Sequence, residues 1–300
     1  MTTNKEALWI LAINPTSGNG NGAIIGQRVI AYLEEAKVQF QVYFGRSSAD
    51  LKERLSREIS AHDISANEIA GVIGVGGDGL MHLILQICVP AHIPFAIVPA
   101  GTGNDFVRSL GWSIESIEPY LKRVLTSPPS KIDLGNADSE WFGAILSTGF
   151  DSVVNERANV LKWPKGAMRY NFAMILELAK FEPREYHITC DGDSFTTKAM
   201  LVAVGNGKSY GGGMNICPQA KFDDGFFDLI ILEPVSTIEF LRVFPKVYSG
   251  SHIRHPKVRS LRAAKVSIEA DAIAYADGER IGPAPISVEC IKGAGLTWTL

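Results

Sequence analysis

The stretch Gly74-Val-Gly-Gly-Asp-Gly79 decides the reading of this chain, together with Pro99-Ala-Gly-Thr-Gly-Asn-Asp105 further on. Each follows a short apolar run that reads as a buried parallel strand, Val72–Val75 and Phe95–Val98. Each leads into a helical pattern. Strand, glycine-rich turn and helix is the arrangement that points backbone N–H groups at a phosphate. The glycines permit positive φ and close backbone approach. The carboxylates of Asp78 and Asp105 repel phosphate but suit Mg²⁺, a hard octahedral cation that takes carboxylate, phosphate and water oxygens. The stretch is therefore a candidate nucleotide-phosphate and metal site. A single turn of this kind is common in ordinary βα connections. Two on successive strands, with a third before them, are not.

Working outward, Leu8–Ile13 reads as a first buried strand, running into the polar loop Asn14-Pro-Thr-Ser-Gly-Asn-Gly-Asn-Gly22. A helix is expected from about Ala23, with Ile25, Val29, Tyr32, Leu33 and Ala36 on one face. Phe40–Phe44 alternates as a strand. Ser47 or Ser48 caps a helix carrying Leu51, Leu55 and Ile59. Strands alternating with helices imply a doubly wound parallel sheet, α/β in class, whose ligands bind at the carboxyl ends of the strands. Beyond Ser127-Pro128-Pro129 the pattern changes. Strand-like runs follow at Lys131–Leu134, Trp141–Ser147, Tyr186–Cys190, Ala199–Val204, Phe227–Leu232, Lys265–Ile268 and Ile286–Cys290. Helical interruptions are expected at Ala167–Lys180 and Thr237–Val247. The expected division is an α/β domain over residues 1–130 and a mostly antiparallel, β-sandwich-like domain over 131–291.

The chain has 300 residues, 46% of them apolar and 20% charged, with a net charge of −3. That composition supports a sizeable core, and no basic face points to nucleic acid. Cys88, Cys190, Cys217 and Cys290 are scattered and read as thiols in a reducing compartment. No signal peptide is expected. Gly79–Gly103 carries no Lys, Arg, Asp or Glu, but Pro90, Pro94 and Pro99 interrupt it. It reads as helix, turn and buried strand rather than a membrane span.

Other motifs carry weaker signals. Gly18-x-Gly20-x-x-Ala23 is like a dinucleotide fingerprint, but the acid wanted after the second strand is replaced by Phe44-Gly45-Arg46, which leaves an NADP site through Arg46 as a minor alternative. Gly207-Lys208-Ser209 lacks the spaced glycine of a P-loop. No cluster of Cys and His has zinc spacing. Asp277-Gly278-Glu279 is either a solvated hairpin turn or a pair of carboxylates at a strand end. Pro218 through Asp224-Gly225 is either a tight turn or a cation loop. Leu161-Lys162-Trp163-Pro164-Lys165 through Arg169-Tyr170 suits either a bilayer interface or a solvated helix start.

Taken in order, Asn14-Pro-Thr-Ser-Gly18, Gly76-Gly-Asp-Gly79, Pro99-Ala-Gly-Thr-Gly-Asn-Asp105 and Asp277-Gly-Glu279 resemble the diacylglycerol-kinase catalytic-domain family, which includes bacterial lipid kinases and the sphingosine and ceramide kinases. Tyr210-Gly-Gly-Gly, Pro218 through Gly225, Gly250-Ser-His252 and His255-Pro256 look like its C-terminal half. The resemblance implies ATP on the first domain, a lipid hydroxyl presented by the second, and chemistry in the cleft between. By that similarity Asn14, Pro15, Thr16, Ser17 and Gly18 line the nucleotide. So do Gly76, Gly77, Asp78, Gly79, Leu80, Met81, His82 and Leu83, and Gly101, Thr102, Asn104 and Asp105. Asp78, Asp105 and Asp133 belong to a carboxylate–Mg²⁺ network. Glu279 is the general base with Asp277 beside it. Lys221, Asp224 and Phe226 surround a structural Mg²⁺, the first and last through carbonyls. The tail, 292–300, is expected to return to the first domain.

The chain departs from the family in one loop. Leu80 stands where Thr or Ser is usual, so a hydroxyl available to phosphate is missing. Gly-Asp-Gly-Leu-Met-His82 looks like the sphingosine-kinase variant, whereas the tail-free layout looks bacterial. The expectation is an ATP- and Mg²⁺-dependent lipid kinase, cytoplasmic and peripheral at the inner face of the membrane, acting on a membrane lipid, with a homodimer left open. Its rivals are an NAD kinase, which shares Gly-Gly-Asp-Gly, and a nucleotide- or lipid-binding regulator in which Leu80 marks lost catalysis.

Overall fold

A computed structural model of the chain describes residues 7–45, 47–62, 68–160, 177 and 181–300. It divides into two compact units, Met1–Asp133 with Gly293–Leu300, and Leu134–Lys292. Arg46, the 161–170 segment and nearly all of 167–180 lie outside the described residues.

The first unit runs β1 (Leu8–Ile13), α1 (Ser17–Glu35), β2 (Phe40–Phe44), α2 (Ser48–Ala61), β3 (Ile69–Gly76), α3 (Asp78–Cys88), β4 (Phe95–Pro99), α4 (Asp105–Ser109) and α5 (Glu118–Thr126). Its sheet has the order β2-β1-β3-β4 with all neighbours parallel. Ile10, Leu11 and Ala12 are fully buried because helices cover both faces. Ile25, Val29 and Leu33 form the inward stripe of α1, as their spacing requires. The Ser47 hydroxyl accepts from Asp50 N at 3.2 Å and caps α2. From β1 the chain steps outward to β2, then crosses back to β3 on the other side of β1. The winding reverses between β1 and β3, and a crevice at such a reversal is where open α/β sheets bind ligands.

The C-terminal residues are fastened into this unit. The Thr297 hydroxyl donates to Phe95 O at 2.7 Å, and Trp298 Nε1 donates to Ser127 O at 2.8 Å. Trp112 Nε1 donates to Trp298 O at 2.7 Å. Trp298 is buried with Trp9 in the core.

The second unit contains β5 (Ser130–Ala137, entering from the first unit), β6 (Glu140–Phe142), β7 (Ile145–Gly149), α6 (Phe150–Val160), β8 (Arg184–Cys190), β9 (Asp193–Ala199), β10 (Leu201–Gly205), β11 (Phe227–Leu232), α7 (Thr237–Val243), β12 (Val258–Ala263), β13 (Lys265–Glu269), β14 (Ile273–Ala276), β15 (Glu279–Pro283) and β16 (Ile286–Thr297). Two six-stranded sheets form, ordered β12-β11-β10-β7-β14-β15 and β6-β5-β16-β13-β8-β9. Leu146, Val202, Leu229 and Ile231 of the first sheet share one core with Tyr186, Ile188, Val266 and Val288 of the second. This is sandwich packing.

Three of the expected strands are revised. Trp141–Ser147 breaks at Gly143-Ala144 into β6 and β7, which belong to different sheets. Ala199–Val204 breaks at Met200, again between sheets. Ile286–Cys290 continues to Thr297 and carries the chain back into the first unit. Of the strands absent from the expected runs, β9, β12 and β15 are sheet edges. Their outer residues are polar, as edge protection favours, so no apolar run marks them. The charge-free stretch resolves into α3, a turn and β4. Among the described residues no helix is long and apolar enough to cross a membrane. All four cysteines are free thiols, Cys190 half-buried and the others buried.

Candidate active site

In the first unit the three glycine loops follow β1, β3 and β4 and pack against each other by backbone. Gly18, Asn19 and Gly20 all have positive φ, so the polar loop curls through a left-handed turn before α1 runs regularly. A Cβ on Gly18 would lie 2.3 Å from Ala100 O, and one on Gly101 would lie 2.5 Å from Gly77 Cα. Only glycine permits contacts this close. Asn14 N extends the β1–β3 ladder by donating to Val75 O at 3.0 Å, and Ala100 N extends the β3–β4 ladder by donating to Gly76 O at 2.8 Å. Asn14 Oδ1 accepts from Thr16 Oγ1 at 2.9 Å, which sets the loop's first turn. Asn104 closes the third loop from both ends. Its Oδ1 accepts from Gly101 N at 3.0 Å, and its Nδ2 donates to Gly101 O at 2.9 Å.

Asp78 joins two loops. Its Oδ1 accepts from Asp105 N at 2.8 Å and from Phe106 N at 3.4 Å, capping α4. The side chains expected to line a nucleotide divide accordingly. Thr16, Gly79 and Thr102 are exposed, and Pro15, Ser17 and Gly77 are partly so. Leu80, Met81, His82 and Leu83 are buried. Leu80 lies against β3, its Cδ2 within 2.7 Å of where a Gly76 Cβ would be. Leu80 is thus part of the packing beneath the loop, and any phosphate contact there comes from backbone N–H groups in the first turn of α3.

The expected acids are also held by the backbone. Asp105 is buried, and Asp133 Oδ1 accepts from Gly293 N at 2.8 Å where β16 returns. Among the described residues no three Asp, Glu, His or Cys side chains converge on one point. A cation on these loops would take one carboxylate and complete its shell from phosphate and water, which is the usual habit of Mg²⁺.

In the second unit Asp277-Gly278 forms the turn between β14 and β15, with φ of 53° and 86°. Two positive φ angles in a two-residue loop define the type I′ turn. The hairpin reading is correct, but Asp277 is not solvated. Its Oδ2 accepts from Gly143 N and its Oδ1 from Ala144 N, both at 2.8 Å. The corner is held from its other side by Asn206, whose Nδ2 donates to Gly143 O at 2.9 Å. Asp277 thus pins the hairpin to the point where the chain changes sheets. Glu279, two residues on, is exposed and pairs with Ala276 in the β14–β15 ladder, and its carboxylate makes no hydrogen bond or ion pair among the described residues. The sequence offered no sign of Gly143, Ala144 or Asn206 as partners.

Around the expected structural-cation loop, Asp224 accepts from Arg262 and from Phe226 N, the latter at 3.2 Å. Arg262 also stacks over the Phe226 ring. Lys221 is exposed. The buried neighbour is Asp228, which sequence reading missed. Its Oδ1 has no hydrogen-bond partner, with Arg262 Nε at 3.7 Å. Burial raises its pKa, Arg262 and Lys221 oppose the rise, and Asp224 adds to it. Arg262 already gives both carboxylates a cationic partner, so an added ion would share the pair with its guanidinium.

An apolar cavity of about 60 Å³ lies in the same unit. Its wall includes Phe150, Met214, Ile216, Phe240, Phe244 and Val247, with His252 as a polar member. His252 is buried and bonds Ile216 O through Nε2 at 3.0 Å. Burial lowers its pKa. Phe240, Val243, Phe244 and Val247 recur at helical spacing, and that was the legible signal.

Comparison with known proteins follows both halves. Residues 8–137 match the diacylglycerol kinase catalytic domain, and residues 144–296 match the YegS C-terminal NAD kinase beta sandwich-like domain. A diacylglycerol kinase of Mycobacterium tuberculosis is 34% identical over 94% of this chain and 91% of its own. One of Bacillus subtilis is 27% identical over 91% and 89%. The solved structure of a diacylglycerol kinase from Bacillus anthracis has the same fold, with a TM-score of 0.74 at 20% identity over 98% of this chain and 97% of that one.

Proposed function

The chain belongs to the diacylglycerol kinase catalytic-domain family, and from that premise we propose that it transfers the γ-phosphoryl group of ATP to a hydroxyl of a membrane lipid such as diacylglycerol. The observation that carries the reading is the meeting of three glycine loops at the winding reversal of the first unit. Their backbone N–H groups, with the exposed residues Thr16 and Thr102 beside them, are the surface proposed to meet a phosphate. Phosphoryl transfer asks mainly for positioning and charge neutralisation. Mg²⁺, when bound, supplies the neutralising charge, with Asp78 and Asp105 near the phosphates. In the second unit Asp224 and Asp228, with the carbonyls of Lys221 and Phe226, would hold a structural ion.

Glu279 is the proposed base. It takes the proton from the acceptor hydroxyl as that oxygen bonds to phosphorus and ADP departs. Asp277 fixes the turn that presents it. The apolar cavity beside α7 has room for only part of an acyl chain, and it is its hydrocarbon wall that supports a lipid acceptor. The proposed setting is the cytoplasmic face of a membrane.

Incubating the protein with γ-labelled ATP and a total lipid extract tests the reading, with mass spectrometry of the product. Label in an organic-soluble phospholipid is expected. Label in NADP, with NAD offered alongside, would overturn it in favour of an NAD kinase. ATP binding with no transfer to any lipid would overturn it in favour of a regulator.

A further inference from the structure

Among the described residues, large apolar side chains exposed to solvent are few, and Ile238, Leu241 and Tyr248 fall within one short segment. They are 65%, 50% and 53% exposed. The segment comprises α7, the 3₁₀ turn Phe244–Val247 and the 3₁₀ turn Ser251–Arg254. Its inward face is already engaged, because Phe240, Val243, Phe244 and Val247 wall the apolar cavity. Ile238 and Leu241, three residues apart, share the opposite face.

Charge sharpens the picture. Arg242, Lys246 and Arg254 are exposed and form no ion pair among the described residues. Glu239 is the one acid between Ser236 and Arg254, and its carboxylate lies 3.4 Å from His255 Nε2. The outer face is therefore apolar at its centre and cationic around it. Ile238 and Leu241 at adjacent turns put two large exposed apolar side chains on one face, where scattered single ones would carry no signal. A protein partner would leave three cations needing acids of matched geometry, whereas an anionic bilayer satisfies both demands without register.

We propose that residues 237–254 form a membrane-docking face that lays Ile238, Leu241 and Tyr248 into an anionic bilayer, with Arg242, Lys246 and Arg254 at the headgroups. One segment then has two surfaces, an outer one on the lipid and an inner one on the apolar cavity. The inference extends the lipid-acceptor reading by naming the surface through which that acceptor is approached.

The test measures binding without turnover, so its failure is separable from failure of the kinase reading. The full chain is cosedimented with vesicles of equal phosphatidylcholine and phosphatidylglycerol, and with phosphatidylcholine alone. Binding to the mixed vesicles is expected, weakening with salt. Ile238→Asp with Leu241→Asp should lower it at least ~10-fold. Arg242→Glu with Lys246→Glu should lower it ~10-fold and flatten its salt dependence. The second pair alters only exposed charges, so it decides the matter even if the first pair misfolds. Wild-type protein that ignores both vesicles, or charge-reversed protein that binds as wild type does, overturns the proposal. So does a dimer in sedimentation velocity that Leu241→Asp splits, since the face would then belong to a second copy.

Discussion

The loops of the first unit and the hairpin of the second are both glycine-rich, yet they use glycine in opposite ways. In the first unit glycine removes side chains so that backbone can approach backbone. Gly18 meets Ala100, and Gly77 meets Gly101, at distances that leave no room for a Cβ. The acids there, Asp78 and Asp133, hold the backbone in place. In the second unit Gly278 serves a turn of positive φ, and Glu279, the proposed base, is exposed on the strand that follows. A phosphate is recognised by dipoles that every residue carries, whereas a hydroxyl proton needs one particular base.

Substitutions can break that contrast, and the largest effect on ATP binding is expected at Gly18. Gly18→Ala forces a Cβ against the Ala100 carbonyl, and backbone cannot yield as a side-chain end can. Strain of ~1–3 kcal/mol at the loop should weaken ATP binding ~10-fold or more by calorimetry. An unchanged affinity would show that the loop does not cradle phosphate.

Asp277→Asn puts an amide NH₂ against one of two N–H groups that need an acceptor. Losing that pairing costs about 1–3 kcal/mol, a melting shift of several degrees. Turnover should fall with it, because Glu279 rides on the same hairpin. If melting is unchanged, the Gly143–Ala144 corner is held by other means.

Leu80→Thr separates the two views of the loop. If the leucine merely replaces a lost phosphate contact, threonine should improve the KM for ATP. The packing against Gly74 and Gly76 predicts instead a loss of about 2 kcal/mol in stability with no gain in affinity.

The smallest effect concerns His252. Burial depresses its pKa below 6.5 in the folded chain, so the unfolded chain binds the proton more readily. Its contribution to stability is therefore complete above pH 6.5 and is lost as pH falls from there toward the folded pKa. Denaturant titrations should show His252→Asn less acid-sensitive than wild type over that window. Parallel profiles would mean that His252 titrates alike in both states.

Much of the first unit was legible because its signals are local. An apolar run, a glycine turn and a helical stripe each occupy a few neighbouring residues, and parallel winding follows from their alternation. The second unit was legible as mostly antiparallel, but its sheets were not. Trp141–Ser147 looks continuous until a carboxylate more than a hundred residues away takes the N–H groups of Gly143 and Ala144. The edge strands β9 and β12 are disguised by the polar residues that protect them. Leu80 was visible as a departure from the family, but its direction, into β3, depends on the glycines at 74 and 76. Asp228 gave no sign in sequence, because its isolation is a property of burial.

The central claim is that backbone of the first unit binds the nucleotide while Glu279 of the second performs the proton transfer. Glu279→Gln tests it most directly, with ATP affinity by calorimetry and turnover on the active lipid measured on one preparation. The amide keeps size and shape but removes the base. The expected result is ATP affinity within error of wild type and a kcat lower by ~100-fold or more. Turnover within a few-fold of wild type would contradict the assignment and move the base elsewhere.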